Sequence, residues 1–193
     1  LQQAENDRLA AIENAKRAAE AKEQNAWDEL LKHGLVKEDF KLEEDLRKLC
    51  FAIVHDEPDS VAGHIRVKPE YADVLVCGKA TPLLIATCCG RSALVVELLA
   101  SGATVDKPRP SDGKTPLQAA IEAGPKGLEL AMAFVDHGAD INRKAPDGRT
   151  PLLMAAMACD ADHSGIVEPE ELSAMLTISE ALLDRGVKDV DAA

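Results

Sequence analysis

Aromatic side chains are scarce in this chain of 193 residues, which holds three Phe, one Trp and one Tyr. The hydrophobic core is therefore expected to consist mainly of Leu, Ala and Val. Basic residues are also few, because 22 Lys and Arg face 34 Asp and Glu, giving a net charge of −12. That balance argues against nucleic acid as a partner, since phosphates demand clustered cations. No apolar run approaches the roughly 18 residues of a membrane span.

Residues typical of catalysis or metal binding lack the necessary spacing. The five cysteines show no metal-ligand pattern, and the adjacent Cys88 and Cys89 are expected to be small core residues in a reducing compartment. The five histidines are equally scattered, and no glycine loop is suited to phosphate, so we predict no enzyme. The chain starts at Leu1, and we expect the cytoplasm or an organelle interior after removal of a targeting peptide.

The strongest pattern is a tripeptide that recurs. Thr-Pro-Leu begins at Thr81, Thr115 and Thr150, at intervals of 34 and 35 residues. A second marker follows each copy, as Gly102-Ala103, Gly138-Ala139 and the less similar Gly186-Val187. Self-similarity near 33 residues predicts stacked units, none of which can bury its apolar face alone.

Each unit carries the start and stop signals of two helices and a turn. The Thr hydroxyl can cap a helix whose first residue is Pro. Gly102 and Gly138 suit the left-handed position that ends a second helix. Asp112-Gly113 and Asp147-Gly148 are hairpin dipeptides, and they predict an extended finger between units.

These segments resemble ankyrin repeats closely. The resemblance rests on the runs 115–120, 134–142 and 147–152, and it extends less specifically over about 42–190. It implies an all-α ankyrin-repeat solenoid of about four units that binds protein through its fingers and concave helix face. The family usually has His after Thr-Pro-Leu, where this chain has Leu84, Gln118 and Leu153. We expect this change to remove one inter-repeat hydrogen bond without disturbing the packing.

A long helix is predicted to precede the solenoid. Residues 1–34 are rich in Glu, Ala, Lys and Gln, without Gly or Pro before Gly34. The helix is either a solvated spacer or lies along another subunit, and Trp27 is its candidate partner-binding residue. The end near Trp27 is also the only part hydrophobic enough to dock on its own domain. A connector, 35–41, leads to the ankyrin domain, 42–193, in which 42–80 is predicted to be a degenerate capping unit.

The fingers also supply candidate partner contacts. Lys107, Arg109, Arg143 and Lys144 gather near the predicted tips of a strongly acidic chain. They are either solvated turn residues or contacts to an acidic segment of a partner, where they would contribute orientation and association rate.

The last unit carries an insertion at about 158–172 that resembles an EF-hand calcium loop. Matched by position, the resemblance assigns Ca²⁺ ligands to Asp160, Asp162, Ser164, the Ile166 carbonyl, Glu168 and Glu171. Gly165 would make the sharp bend. No second loop pairs with it, and the ankyrin helix pair would resist opening. We therefore expect a structural or weakly binding site. The alternative is a vestigial motif or a loop used for protein contact.

Together these patterns predict a non-catalytic protein-interaction module, a scaffold or accessory subunit of a larger assembly that could be organellar. The alternative is a calcium-responsive adaptor or regulator. A regulator's affinity for its partner must depend on Ca²⁺, whereas a scaffold's need not. No small-molecule substrate is expected.

Overall fold

The chain forms a stack of helix pairs. The computed structural model describes residues 2–36, 42–158 and 169–190, and within these ranges every regular element is helical. Two short 3-10 turns, Pro69–Ala72 and Gly124–Gly127, separate some of the helices. The α-helices are α1 (Gln2–Lys32), α2 (Glu44–Val54), α3 (Pro58–Val67), α4 (Pro82–Cys88), α5 (Ser92–Ala100), α6 (Pro116–Glu122), α7 (Leu128–Asp136), α8 (Pro151–Ala158) and α9 (Pro169–Val190).

Consecutive helices pair, and the pairs stack in chain order. The first helices form one layer, in which α4 lies between α2 and α6, and α6 lies between α4 and α8. The second helices form the other layer, in which α5 contacts α3 and α7, and α7 also contacts α9. This is the all-α repeat solenoid that the 34-residue pattern predicts, with a long N-terminal helix before it.

The predicted caps are present at the start of α4, α6 and α8. The hydroxyls of Thr81, Thr115 and Thr150 accept hydrogen bonds from the backbone N–H three residues later, at 3.2–3.3 Å. Each Pro follows its capping Thr, where the missing N–H leaves nothing unpaired. Helices α5 and α7 end as predicted, since Gly102 and Gly138 have φ of +90° and +80°, whereas α9 continues past Gly186 to Val190. The local signals for helix starts and ends therefore favour the same structure as the stacking of the helix pairs in these units.

Gln118 corrects one expectation. Its side-chain oxygen accepts from the Thr115 N–H at 3.0 Å, which completes a capping box. Its Nε2 donates to the carbonyl of Arg143, in the next unit, at 2.7 Å. The expected loss of an inter-repeat hydrogen bond is therefore wrong at this position, because the amide group reaches the neighbouring unit as a His side chain could. Leu84 is simply buried there, and Leu153 is exposed.

Among its described side chains, helix α1 docks on the solenoid through those of its last turns. Ala26 and Leu30 are buried against the core, whereas the described side chains from Ala10 to Lys22 are exposed. Arg47 on α2 pairs with Glu23 at 2.6 Å. Lys79 donates to the carbonyls of Gly34 and Val36, at 3.0 and 3.2 Å, and so ties the chain after α1 to the first finger. About half of this helix therefore has no packing partner among the described residues.

The cysteines behave as core residues where the structure describes them. Cys50 and Cys77 are buried, and Cys88 and Cys89 are partly buried against the core. Burial raises the pKa of the Cys89 thiol to about 12. A thiol in that environment is a poor nucleophile.

Candidate protein-binding surface

Three fingers project between the helix pairs, and each is closed by backbone hydrogen bonds. Val76 N–H donates to Ala80 O at 2.8 Å, Arg109 N–H to Lys114 O at 2.8 Å, and Ala145 N–H to Arg149 O at 2.8 Å. We call the segments 76–80, 109–114 and 145–149 the finger row. They are short turns rather than full strands, and Val76 and Ala80 form an isolated antiparallel bridge.

The second and third fingers pack closely. Gly113 has φ of +66°, and a Cβ atom there would lie 2.6 Å from Cγ of Pro146. Both the backbone conformation and the space therefore demand glycine. This contact sets the distance between neighbouring fingers.

An aspartate near the base of each of the first two fingers holds the next unit. The carboxylate of Asp73 accepts from the N–H and the hydroxyl of Thr104, at 2.9 and 2.5 Å. One unit later, Asp106 accepts from the N–H of Asp140 at 3.0 Å. The sequence reasoning missed these residues, although Asp at 73, 106 and 140 recurs at intervals of 33 and 34. They make the finger row a rigid series rather than independent loops.

Two of the predicted partner-binding cations belong to this series. Lys107 donates to the carbonyl of Asp73 at 2.7 Å, and Arg143 donates to the carbonyl of Asp106 at 3.4 Å. They occupy similar places in successive units, and each links its own unit to the one before. The Lys107 link is the firmer, since its side chain is partly buried.

Arg109 is engaged within its own finger. Its guanidinium donates to both carboxylate oxygens of Asp112, at 2.9 and 2.5 Å. Burial opposes ionisation of Asp112, but these hydrogen bonds outweigh it and hold the pKa of that carboxyl below its usual value. Arg149 and Asp147 form a similar pair in the third finger, at 2.7 Å. The fingers therefore present paired charges to a partner.

Lys144 is the exception among the four predicted cations. It is exposed, next to the third finger, and it makes no hydrogen bond or ion pair with any residue that the structure describes. Of the four predicted cations, it is therefore the one that could meet a partner without breaking a contact among the described residues.

Trp27 lies on the docked part of α1. Its side chain is partly buried and packs against the hydrophobic core. The structure thus places it between its own domain and solvent, beside the buried Ala26 and Leu30.

A groove of about 360 Å³ lies on the first helix pair. Lys68 stands over the Tyr71 ring, 4.8 Å from its centroid, and pairs with Glu43 and Asp45 at 2.9 Å each. These contacts lower the pKa of both carboxyls, the hydrogen bond from Lys68 being the main cause. The groove is otherwise lined by the second helix of the unit, at Ser60, Gly63, His64 and Val67. Sequence reasoning did not single it out.

The predicted calcium ligands fall largely outside the described residues. The segment 159–168, between α8 and α9, holds Asp160, Asp162, Ser164, Ile166 and Glu168. Glu171 lies in the first turn of α9, and its side chain is not among those that the structure describes. Across the described ranges, no three His, Cys, Asp or Glu side chains are grouped so as to hold a metal ion. Within those ranges, too, no helix combines the length and apolar character needed to cross a membrane.

Stacked helix pairs separated by short fingers define the class of helical repeat proteins whose surfaces bind other proteins. A family model described as ankyrin repeats (three copies) matches residues 49–145 and, in an overlapping second match, residues 83–168. The two matches together span more than half of the chain, which therefore belongs to the ankyrin repeat family. A comparison with curated proteins gives no match.

Proposed function

We propose that this protein is a scaffold or accessory subunit of a larger protein assembly in a reducing compartment, and that it holds one partner along the finger row. Ankyrin repeats imply a protein partner. The observation that carries the proposal is the finger row itself, three turns linked in series through Asp73 and Asp106. A surface ordered before binding loses little conformational entropy on association.

Charge supports an acidic contact at one point of this row. Lys144 is exposed beside the third finger and has no internal partner among the described residues. Lys107, Arg109 and Arg143 are held by internal acceptors, so they shape the fingers and offer less free charge. We therefore assign Lys144 the direct role in orienting an acidic segment.

The test is isolation of the tagged chain from its source cells, with measurement of the mass of the assembly and of its other subunits. A stoichiometric assembly is expected, and Lys144→Glu should slow its re-formation from separated subunits by about tenfold at low salt. Lys126→Glu is the matched control, since Lys126 is exposed in the turn between α6 and α7. A chain that is isolated alone, as a monomer, would contradict the proposal.

A calcium-responsive adaptor is the second candidate, and the spacing of oxygen ligands in 160–171 favours it. The motif begins after α8, which ends at Ala158, and α9 begins at Pro169. Glu171 falls in the first turn of the second helix, the position of the ligand that closes an EF-hand loop.

Calorimetric Ca²⁺ titration separates these functions. Binding that is lost in Glu171→Gln and kept in Glu170→Gln, a neighbouring acid at a non-ligand position, would establish the site. If Ca²⁺ also changes partner capture, the protein is a calcium-gated adaptor. If Ca²⁺ binds without changing partner capture, the ion only stabilises the fold. No heat at millimolar Ca²⁺ would remove the second candidate and leave the scaffold.

A further inference from the structure

The last helix pair exposes apolar side chains at positions that the preceding units bury. The third residue after the capping Thr is Leu84, Gln118 and Leu153 in successive units. Leu84 and Gln118 are fully buried, and Leu153 is 46% exposed. Gln118 shows why, because its side chain reaches the next unit at the Arg143 carbonyl. This position faces the following unit in the stack.

A second position on the same helices behaves alike. The sixth residue after the Thr is Thr87, Ile121 and Ala156, of which the first two are buried and the last is exposed. Met157, the next residue, is 48% exposed. Among the described residues, the side of α8 that corresponds to the stacking side of α4 and α6 is therefore open and apolar.

Helix α9, which packs beside α8, also exposes apolar side chains. Counted from Gly102, Gly138 and Gly186, the residues three positions earlier are Leu99, Val135 and Leu183, although α9 continues past Gly186 to Val190. Leu99 is partly buried. Val135 is 4% exposed and Leu183 is 50% exposed. Leu176, two turns earlier on α9, is also exposed. We call Leu153, Ala156, Met157, Leu176 and Leu183 the end face.

The composition of α8 is that of an interior helix. Its sequence, Pro151–Ala158, has no charged or polar side chain. The same is nearly true of α4, Pro82–Cys88, which lies between two units and is buried except for its last residue. Solenoids usually end in a unit with a polar outer face, since an open apolar face reduces solubility. The end face, which is the outer side of the last described helix pair, is apolar instead.

Charge at the edge of the end face points to the kind of occupant. Glu180 and Asp184 are exposed on α9 beside Leu183, whereas the nearby Arg185 is directed back to Asp136, at 2.7 Å. Two copies meeting through this face would bring these carboxylates together on chains that each carry a net charge of −12. A second copy is therefore the less suitable occupant.

We propose that the end face binds a helical segment of a partner protein, which stacks on α8 and α9 as a further unit would. The segment presents small and branched apolar side chains to Leu153, Met157 and Leu183, and basic side chains to Glu180 and Asp184. This surface is separate from the finger row, so the inference goes beyond the proposed function.

Methionine methyl NMR tests the proposal on the full chain. The chain has four methionines, and they sample different environments: Met157 is exposed on the end face, Met154 and Met175 are buried, and Met132 is partly buried on α7. The probe is a synthetic amphipathic helix of about 20 residues with a Leu/Ala stripe flanked by Lys, long enough to be helical. A matched peptide carries Glu in place of Lys.

The Lys peptide should shift the Met157 methyl resonance and leave that of Met132 in place. Leu183→Glu should weaken its affinity by at least about tenfold, as for a central interface residue. Val96→Glu is the matched control, since Val96 is 44% exposed on α5, away from the end face. The Lys144→Glu variant should bind the peptide normally, so this assay is independent of the finger row.

Four outcomes would overturn the proposal. The first is no shift of Met157 with either peptide, and the second is equal affinity for the Lys and Glu peptides. The third is a concentration-dependent shift of Met157 without peptide, together with a doubled mass, which would make a second copy the occupant. The fourth is a Met157 methyl protected from a soluble paramagnetic probe in the free chain, which would mean that the face is already covered.

Discussion

The first and last helix pairs of this solenoid differ in what covers their outer sides. The pair α2 and α3 contacts the second unit on one side, and α2 also packs against α1. The pair α8 and α9 contacts the third unit and leaves its other side open among the described residues. The difference teaches that the long N-terminal helix covers the outer side of α2, whereas no described element covers that side of α8.

The largest effect is expected where α1 covers the first unit. Leu30→Ala removes a side chain that is 1% exposed, and we expect a loss of about 2–4 kcal/mol in the free energy of unfolding. Leu153→Ala, the same change on the last pair, should cost less than about 1 kcal/mol because that side chain is already half in water. Urea unfolding measures both. Equal losses would contradict the contrast between the two pairs.

The next largest effect on stability is expected from a comparison of two second helices, α7 and α9. Val135→Ala removes two buried methyl groups and should cost about 1–2 kcal/mol. Leu183→Ala changes the equivalent position of the last unit and should alter stability by less than about 0.5 kcal/mol. Thermal unfolding of the two variants at one protein concentration is the measurement. A costly Leu183→Ala would mean that another part of the chain covers this side chain.

The anchor of α1 gives a smaller and more local effect. Lys79→Met removes the two hydrogen bonds to the Gly34 and Val36 carbonyls, and we expect a loss of about 1 kcal/mol. Hydrogen exchange should accelerate in the last two turns of α1 and remain unchanged in α6. Lys114→Met is the control, since Lys114 follows the turn glycine of the second finger as Lys79 does in the first, and its side chain pairs with Glu122 instead. Uniform acceleration in both variants would refute the local role.

The smallest effect concerns pH, in the groove on the first unit. Lys68 lowers the pKa of Glu43 and Asp45 from ordinary values of 4.5 and 3.8. A carboxyl whose pKa is lower in the folded state stabilises the fold above its unfolded pKa. That contribution is lost as pH falls through the lowered value. The free energy of unfolding should therefore fall more steeply below about pH 4.5 in the unsubstituted chain than in Lys68→Met. Parallel slopes of the two free energies against pH would contradict this prediction.

Much of the fold could be predicted because its signals are local. The three Thr-Pro-Leu steps place the helix caps, and Gly102 and Gly138 mark the helix ends, since a cap or a left-handed residue depends only on its immediate neighbours. The roles of Gln118 and Lys79 could not be predicted in this way. Each acts on a backbone carbonyl 25 or more residues away, and only the stacked structure brings those groups together.

The candidate site was predictable in position but not in detail. The sequence places cations near the fingers, yet which of them are free depends on acceptors in the preceding unit, such as the Asp73 carbonyl that holds Lys107. The end face has no sequence signature of its own. In the sequence, Leu153 and Leu183 cannot be distinguished from ordinary core residues. Only their exposure in the structure shows that a stacking partner is missing from the described chain.

Oxidative footprinting of the methionines, in the free chain and in the assembly isolated from source cells, tests the central contrast most directly. We expect Met157 to be oxidised rapidly in the free chain and Met154 and Met175 to be oxidised slowly, because only Met157 is exposed. In the assembly, Met157 should become protected by at least about tenfold while Met132 keeps its rate. A Met157 that is oxidised equally fast in the assembly would show that the end face remains open, and would contradict the account.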